Sequence, residues 1–257
     1  MPLFSKDKFQ ISTKARLDPN SSESIISQLD RKIDASLGRL QRDFVELYQL
    51  HNRIQSVGDK DNFSAKDILK RGGVADAMEK FKSDERIKSI GITALGDIDA
   101  INEVVLSDCF DVAQIYYNLL NPSASYKTSG NWNDHDFSNL INNCISKDMG
   151  LMNIRIYAAG YLATDKRHGR EIPVTFGINE NELNRRVEKI NSIFNDIKGT
   201  KAQKALRYGL SNSDMSTIVI GLANIEHLEE ALEGYNLGHL DEELSLIHIS
   251  EPTRRRT

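Results

Sequence analysis

Three polar side chains stand at or near the ends of short β-prone runs: Lys14 closes FQISTK, His51 comes at the end of FVELYQLHN, and Gln114 lies within FDVAQIYYN. An ammonium group favours the charged form of a neighbouring acid. An imidazole N–H can steady charge growing on a substrate oxygen, and a carboxamide can donate and accept at once. Each residue also has a plainer reading: Lys14 as a solvated charge, His51 as a hydrogen-bonded core residue, Gln114 as an interior polar partner. A joint role is favoured by their common position, because ligands and chemistry gather at the C-terminal ends of strands in barrels and doubly wound sheets.

The elements that must position them alternate. Strand-like runs at Phe9–Lys14, Phe44–Asn52, Ile87–Ala94, Phe110–Asn118, Leu151–Ala159 and Ser216–Gly221 are each followed by a helical pattern. The first helix carries Ile25, Ile26, Leu29, Ile33, Leu37 and Leu40 at helical spacing, with Asn20 and Glu23 as its capping pair. Further helices are expected over Val74–Ser83, Ile98–Leu106, Asp134–Lys147, Glu180–Ile197 and Lys201–Tyr208, and from an Asn224 cap through Leu232. The stretch between Asn52 and Val74 reads as a polar loop. Such alternation predicts an α/β fold with a parallel sheet and right-handed crossovers. No GxGxxG follows any strand, which favours a barrel over a Rossmann sheet, but a closed barrel needs eight strands and two are unaccounted for. The stretch Tyr161–Asn179 is longer than ordinary connections and reads as a lid or binding loop.

Composition narrows the function classes. With 39% apolar and 27% charged residues, the 257-residue chain can bury one large core. A net charge of −4 with scattered basic residues gives no extended nucleic-acid surface. No apolar run approaches the roughly 20 residues of a membrane span, and MPLFSKDKFQ lacks the apolar core of a secretory signal. Cys109 and Cys144 have no metal-ligand spacing and read as two reduced core thiols of a cytoplasmic protein.

Between about Phe9 and Leu232, the segments ISTK, DFVELYQLHNRI, IKSIGITALGD, FDVAQIYYNLLNPSA and ALRYGLSNSDMSTIVIGLANIEHLEEAL occur in this order. Together they resemble the aldo-keto reductase superfamily, above all bacterial members related to aldose and galactose dehydrogenases. The resemblance implies a TIM (β/α)8 barrel that binds NADP or NAD without a Rossmann fold. It implies hydride transfer linking an aldehyde, ketone or aldose to its alcohol or lactone. It also implies a cytoplasmic enzyme, monomeric when whole, that uses no metal, nucleic acid or membrane. Four side chains work in that family: an aspartate, a tyrosine, a lysine and a histidine. Lys14 matches the lysine, at the end of the third barrel strand, and His51 the histidine, at the end of the fourth. The lysine brings a tyrosine with a reference pKa of about 10 toward the working range.

In the family the aspartate and tyrosine precede the third strand, and this chain begins close to it. The expectation is therefore an incomplete barrel, strands 3 to 8 without the first two, spanning residues 1–243 and having little activity of its own. The alternative is a non-catalytic nicotinamide-nucleotide-binding or regulatory protein on the same barrel. For the cofactor, the resemblance assigns Thr93 and Gln114 to the nicotinamide carboxamide, with Ala94 where an amide residue is usual. Ile154 and Arg155 stand where an aromatic ring often stacks. Gly221, Leu222 and Asn224 match the phosphate loop, and Glu230 the acid that meets adenine. Gly221 and His227 replace the basic clamp for a 2′-phosphate, which tilts toward NAD. Finally, LSLIHISEPTR resembles the in-frame translation of a sequencing adapter. Residues 244–257 are expected to be a non-native tail, in which neither His248 nor Arg254–Arg256 carries function.

Overall fold

In the computed structural model, residues 9–128, 132, 134–166 and 180–240 are described. The chain start, residues 167–179 of the long loop and the whole of 244–257 lie outside them. Two units divide the chain: Met1–Gln114 with Asn143–Gly150, and Ile115–Asn142 with Leu151–Thr257.

The first unit follows the alternation read from the sequence. Strand β1 (Ser12–Ala15) leads to helix α1 (Ile25–Leu40) and strand β2 (Val45–Leu50). Two-residue strands β3 (Ile54–Gln55) and β4 (Phe63–Ser64) come next, then helices α2 (Ala65–Leu69) and α3 (Val74–Ser83). Strand β5 (Ile87–Thr93), helix α4 (Ile98–Leu106) and strand β6 (Val112–Tyr116), of which the residues through Gln114 belong to this unit, complete the run. The ladders are parallel. Lys14 pairs with Gln49, Gln49 with Gly91, and Thr93 with Gln114. Strand β2 is buried along nearly all its length, as expected of a strand covered on both faces. Tyr48, Leu50, Ile90 and Ile92 are on one side of the sheet and are at most 2% exposed.

Three local expectations need correction here. The cap of α1 is Ser24, whose Oγ accepts from Ser27 N at 3.2 Å. Asn20 instead donates its N–H to Asp18 Oδ1 in a turn, and Glu23 reaches Arg31. The polar loop after β2 contains β3, β4 and α2, with Ile54, Phe63 and Ile68 in the core. Single apolar residues among polar ones leave no periodicity to read. Of the two thiols, both free, Cys144 is buried but Cys109 is exposed.

Helix α5 (Leu140–Ser146) is shorter than the Asp134–Lys147 expectation. Asn139, with φ 69°, breaks the helical path, and Asp136 turns its carboxylate onto Ser138 N.

In the second unit, β7 (Gly150–Ile154) pairs in parallel with β8 (Thr217–Ile218), Asn153 lying opposite Ile218. Both strands are shorter than expected. Strand β7 stops because Arg155, Ala158 and Ala159 take positive φ, and a 3-10 turn follows at Ala158–Gly160. Helices α6 (Glu180–Ile193), α7 (Lys201–Leu210) and α8 (Ile225–Asn236) complete the unit. Thr200 and Gln203 form a capping box on α7, and Asn224 caps α8 as read from the sequence. Tyr117 stacks on Tyr208 with centroids 5.2 Å apart, and Ile156, Leu206 and Ala231 form a small core cluster. Among the described residues no helix is long and apolar enough to cross a membrane. Nor do any three His, Cys, Asp or Glu of the described residues gather to hold a metal ion.

Candidate functional site

Side chains alternate across a strand, so the parallel registers decide which residues share a face. In the first unit they put Ser12, Lys14, Gln49, Gly91, Thr93 and Gln114 on the side opposite Tyr48 and Ile90. That side is polar. Gln49 Nε2 donates to Ser12 Oγ at 2.8 Å. Gly91 leaves room for it: a Cβ there would stand 3.1 Å from Gln49 Cγ and 2.8 Å from the Val112 carbonyl oxygen.

At the C-terminal end of this face, Gln114 Oε1 accepts from two donors, Lys14 Nζ and Thr93 Oγ1, each at 3.3 Å. Thr93 and Gln114 are 4% and 3% exposed, whereas Lys14 is open to solvent. The carboxamide is thereby oriented, with its oxygen turned to the lysine and threonine and its Nε2 donating to none of the described residues. The fixed amide can donate to a ligand carbonyl, and the cation beside it can steady negative charge on an oxygen.

His51 is the first residue after β2 and is half-buried. Its N–H donates to Ala15 O at 2.8 Å, so the ladder continues past the last assigned residue of β2. The neighbour that fixes it is Asn52, which is 1% exposed. Asn52 Oδ1 accepts from Leu17 N at 2.9 Å, and its Nδ2 donates to Leu17 O at 2.8 Å and Asp61 O at 2.7 Å. Sequence reasoning saw only an amide after a histidine. That adjacency at a strand end was the available signal for a side chain pinning two loops beside His51.

Tyr48 is the one tyrosine among the described residues of this unit, and it lies on the other side of the sheet. It is fully buried, and burial pushes its hydroxyl above the ordinary tyrosine value.

The remaining candidates belong to the second unit. Arg155 has φ 57°, and its carbonyl accepts from Asn118 Nδ2 at 2.9 Å. Gly221 and Leu222 are exposed and lead to Asn224, whose Oδ1 accepts from His227 N at 3.0 Å. Ala223 N donates to His227 Nδ1 at 3.3 Å, so His227 is folded back onto its own loop. A Cβ on Gly221 would meet nothing within 4 Å, so space is open at this end of the 12-residue helix α8. The backbone N–H groups of a helical first turn suit an anion. Glu230 is half-buried and already accepts from Thr200 Oγ1 at 2.6 Å, so any further donor to it competes with that hydroxyl. Tyr157 is pushed up to about 12, by burial first and then by the charge of Glu230.

The structure thus joins Lys14, Thr93 and Gln114 directly, sets His51 on the neighbouring strand end, and gives Gly221, Leu222 and Asn224 a common loop. Within its own unit, the Thr93–Gln114 pair suits a carboxamide, and the open start of α8 suits an anion.

The sequence matches the aldo/keto reductase family over residues 3–248. It is 25% identical over 258 aligned residues to an L-galactose dehydrogenase of Arabidopsis thaliana, covering 98% of this chain and 73% of that protein. The fold is similar to the aldo-keto reductase AKR11C1 from Bacillus halodurans. Its holo form superposes with a TM-score of 0.67 at 18% identity, covering 95% of this chain and 71% of the other. For the apo form the TM-score is 0.60 at 19% identity, with 93% and 69% covered.

Proposed function

Because the chain belongs to the aldo/keto reductase family, we propose that it takes part in hydride exchange between NAD or NADP and the carbonyl carbon of a small aldehyde, ketone or aldose. The observation that carries this reading is the double approach of Lys14 Nζ and Thr93 Oγ1 to Gln114 Oε1 at 3.3 Å. When bound, the nicotinamide supplies or accepts the hydride.

The residues of the chain do the rest. Thr93 and Gln114 would hold the carboxamide and so orient the nicotinamide. Lys14 and His51 stand at the substrate oxygen, where an ammonium and a ring N–H stabilise the charge that grows as hydride reaches carbon. Arg155 would contact the nucleotide. The Gly221–Asn224 loop would hold the phosphates, and Glu230, which accepts from Thr200 Oγ1, would meet adenine. The similarity to an L-galactose dehydrogenase supports an aldose as substrate and its lactone as product. A cytoplasmic setting follows from this reading, in which the partner is a small molecule and no macromolecule is required.

Turnover by the 257-residue chain is expected to be weak. In the first unit Tyr48 is buried away from Lys14, so no phenol of its described residues serves the lysine. The same observation supports a second reading, a nucleotide-binding protein without catalysis on the same scaffold.

Titration with NADH and NADPH, followed by nicotinamide fluorescence, separates these readings from failure. Binding is expected, weakened about tenfold in Gln114→Leu, which corresponds to ~1.4 kcal/mol. Slow, Lys14-dependent reduction of nucleotide by L-galactose then favours the enzyme, and binding without turnover favours the second reading. No binding of either nucleotide by folded protein would overturn both.

A further inference from the structure

Backbone strain in the second unit is concentrated just beyond β7. Arg155, Ala158 and Ala159 have φ of 57°, 46° and 57°, and Gly160 follows at 102°. L side chains avoid the left-handed region, so three such residues within five persist only when their surroundings impose the shape.

Besides the backbone bonds of the turn, one buried side chain from outside it bonds to it. Asn118, which follows β6 and is 1% exposed, donates from Nδ2 to the Arg155 carbonyl at 2.9 Å. The same carbonyl accepts from Ala158 N at 2.8 Å, so the bond from Asn118 falls on the oxygen that closes the turn. The other end of the amide is anchored: Asn118 Oδ1 accepts from Leu120 N at 2.9 Å and Asn121 N at 3.0 Å. Asn121 is held in turn, its Nδ2 donating to His135 O at 2.8 Å and its Oδ1 accepting from Ser123 Oγ at 2.6 Å. The anchor is therefore rigid. Only an amide both donates to Arg155 and accepts from its own loop; an aspartate of the same shape keeps the acceptor and loses the donor.

We infer that Asn118 is a positioning residue for the nucleotide, holding the Arg155–Gly160 turn in the left-handed shape that Arg155 needs to meet its ligand. The inference rests on the nucleotide-binding reading given above. It adds a residue that touches no ligand yet sets affinity.

The test uses the full chain with three substitutions. Asn118→Asp should raise the Kd for NADH or NADPH about tenfold. Amide hydrogen exchange should quicken at Ala158, Gly160 and Leu162, with far-UV circular dichroism unchanged. Adding Ala159→Gly, which removes the left-handed penalty of a Cβ, should recover most of the lost affinity; a purely structural role would show no such rescue. Gln114→Leu should weaken binding without altering exchange in the turn. Unchanged exchange or unchanged affinity in Asn118→Asp overturns the inference. Should Asn118→Asp fail to fold, Asn118→Ser, which is too short to reach Arg155, takes its place with the same outcomes. Wild-type protein that binds neither nucleotide overturns the underlying reading and this role with it, while the exchange data still report whether the clamp exists.

Discussion

Cys144 shows how much a single buried group constrains the conditions in which this chain stays folded. Its thiol makes no use of its nucleophilicity: it is 0% exposed, and burial pushes its pKa from 9.0 up to about 12. The native state therefore keeps this proton where the unfolded chain gives it up. Stability from the neutral thiol is fully present below about pH 9 and falls as pH rises toward 12. The slope is ~1.4 kcal/mol per pH unit for a single group. Urea unfolding of Cys144→Ala and wild type at pH 8 and at pH 10.5 checks this. The alanine variant should start lower but lose less on going alkaline; equal losses would mean that Cys144 does not titrate differently on unfolding. Exposed Cys109 should react with a thiol reagent in native buffer, leaving Cys144 protected until the chain unfolds.

At the scale of elements, Gly96 decides whether the loop after β5 can close on β3. Leu95 O accepts from Ile54 N at 2.9 Å, and Asp97 N donates to Ile54 O at 2.8 Å, so Gly96 is clasped from both sides. Its φ of 135° is closed to L side chains, and a Cβ would fall 1.8 Å from Ile54 O. Gly96→Ala should therefore destabilise the first unit by about 3 kcal/mol or more, through strain and the loss of both bonds. Thermal unfolding would show it, and a shift no larger than that of an exposed helical Gly→Ala change would refute it. This clasp also marks the limit of what the sequence revealed. The long runs around β2, β5 and β6 were readable because apolar residues there are dense and periodic. So was the common rim of Lys14 and Gln114, which follows from alternation once the strands are parallel; Thr93 came to it only through the family resemblance. Strands β3 and β4 were hidden because two-residue pieces have no period. The left-handed path through Arg155, Ala158 and Ala159 was hidden because those residue types do not announce it. Asn52 and Asn118 act on backbone groups far along the chain, and no local pattern predicts such partners.

At the scale of the molecule, α8 carries an exposed apolar stripe. Ile225, Leu228, Leu232 and Tyr235 are 60%, 36%, 54% and 63% exposed, and their 3-4-3 spacing aligns them along one side of the helix. The helix meets α7 through small residues: Ala231 and Gly234 are its buried positions, and a Cβ on Gly234 would press on Gln203 at 3.1 Å. Leu222 and Val219, at 44% and 38%, add further exposed apolar surface in the preceding segment. Apolar exposure of this kind drives association at roughly 25 cal/mol per Å² removed from water. Opposing it, Glu226, Glu229 and Glu233 are exposed on the same helix and would be brought near their own copies in any pairing of two such faces. The two effects respond oppositely to salt. Screening weakens carboxylate repulsion while leaving apolar attraction intact. Self-association should therefore rise from low to high sodium chloride, the reverse of what a contact made by ion pairs would do. Light scattering of wild type against Leu232→Glu is the decisive comparison. Wild type should scatter more as salt increases, and the variant should stay near its low-salt value. A salt response unchanged by Leu232→Glu would show that another surface is responsible.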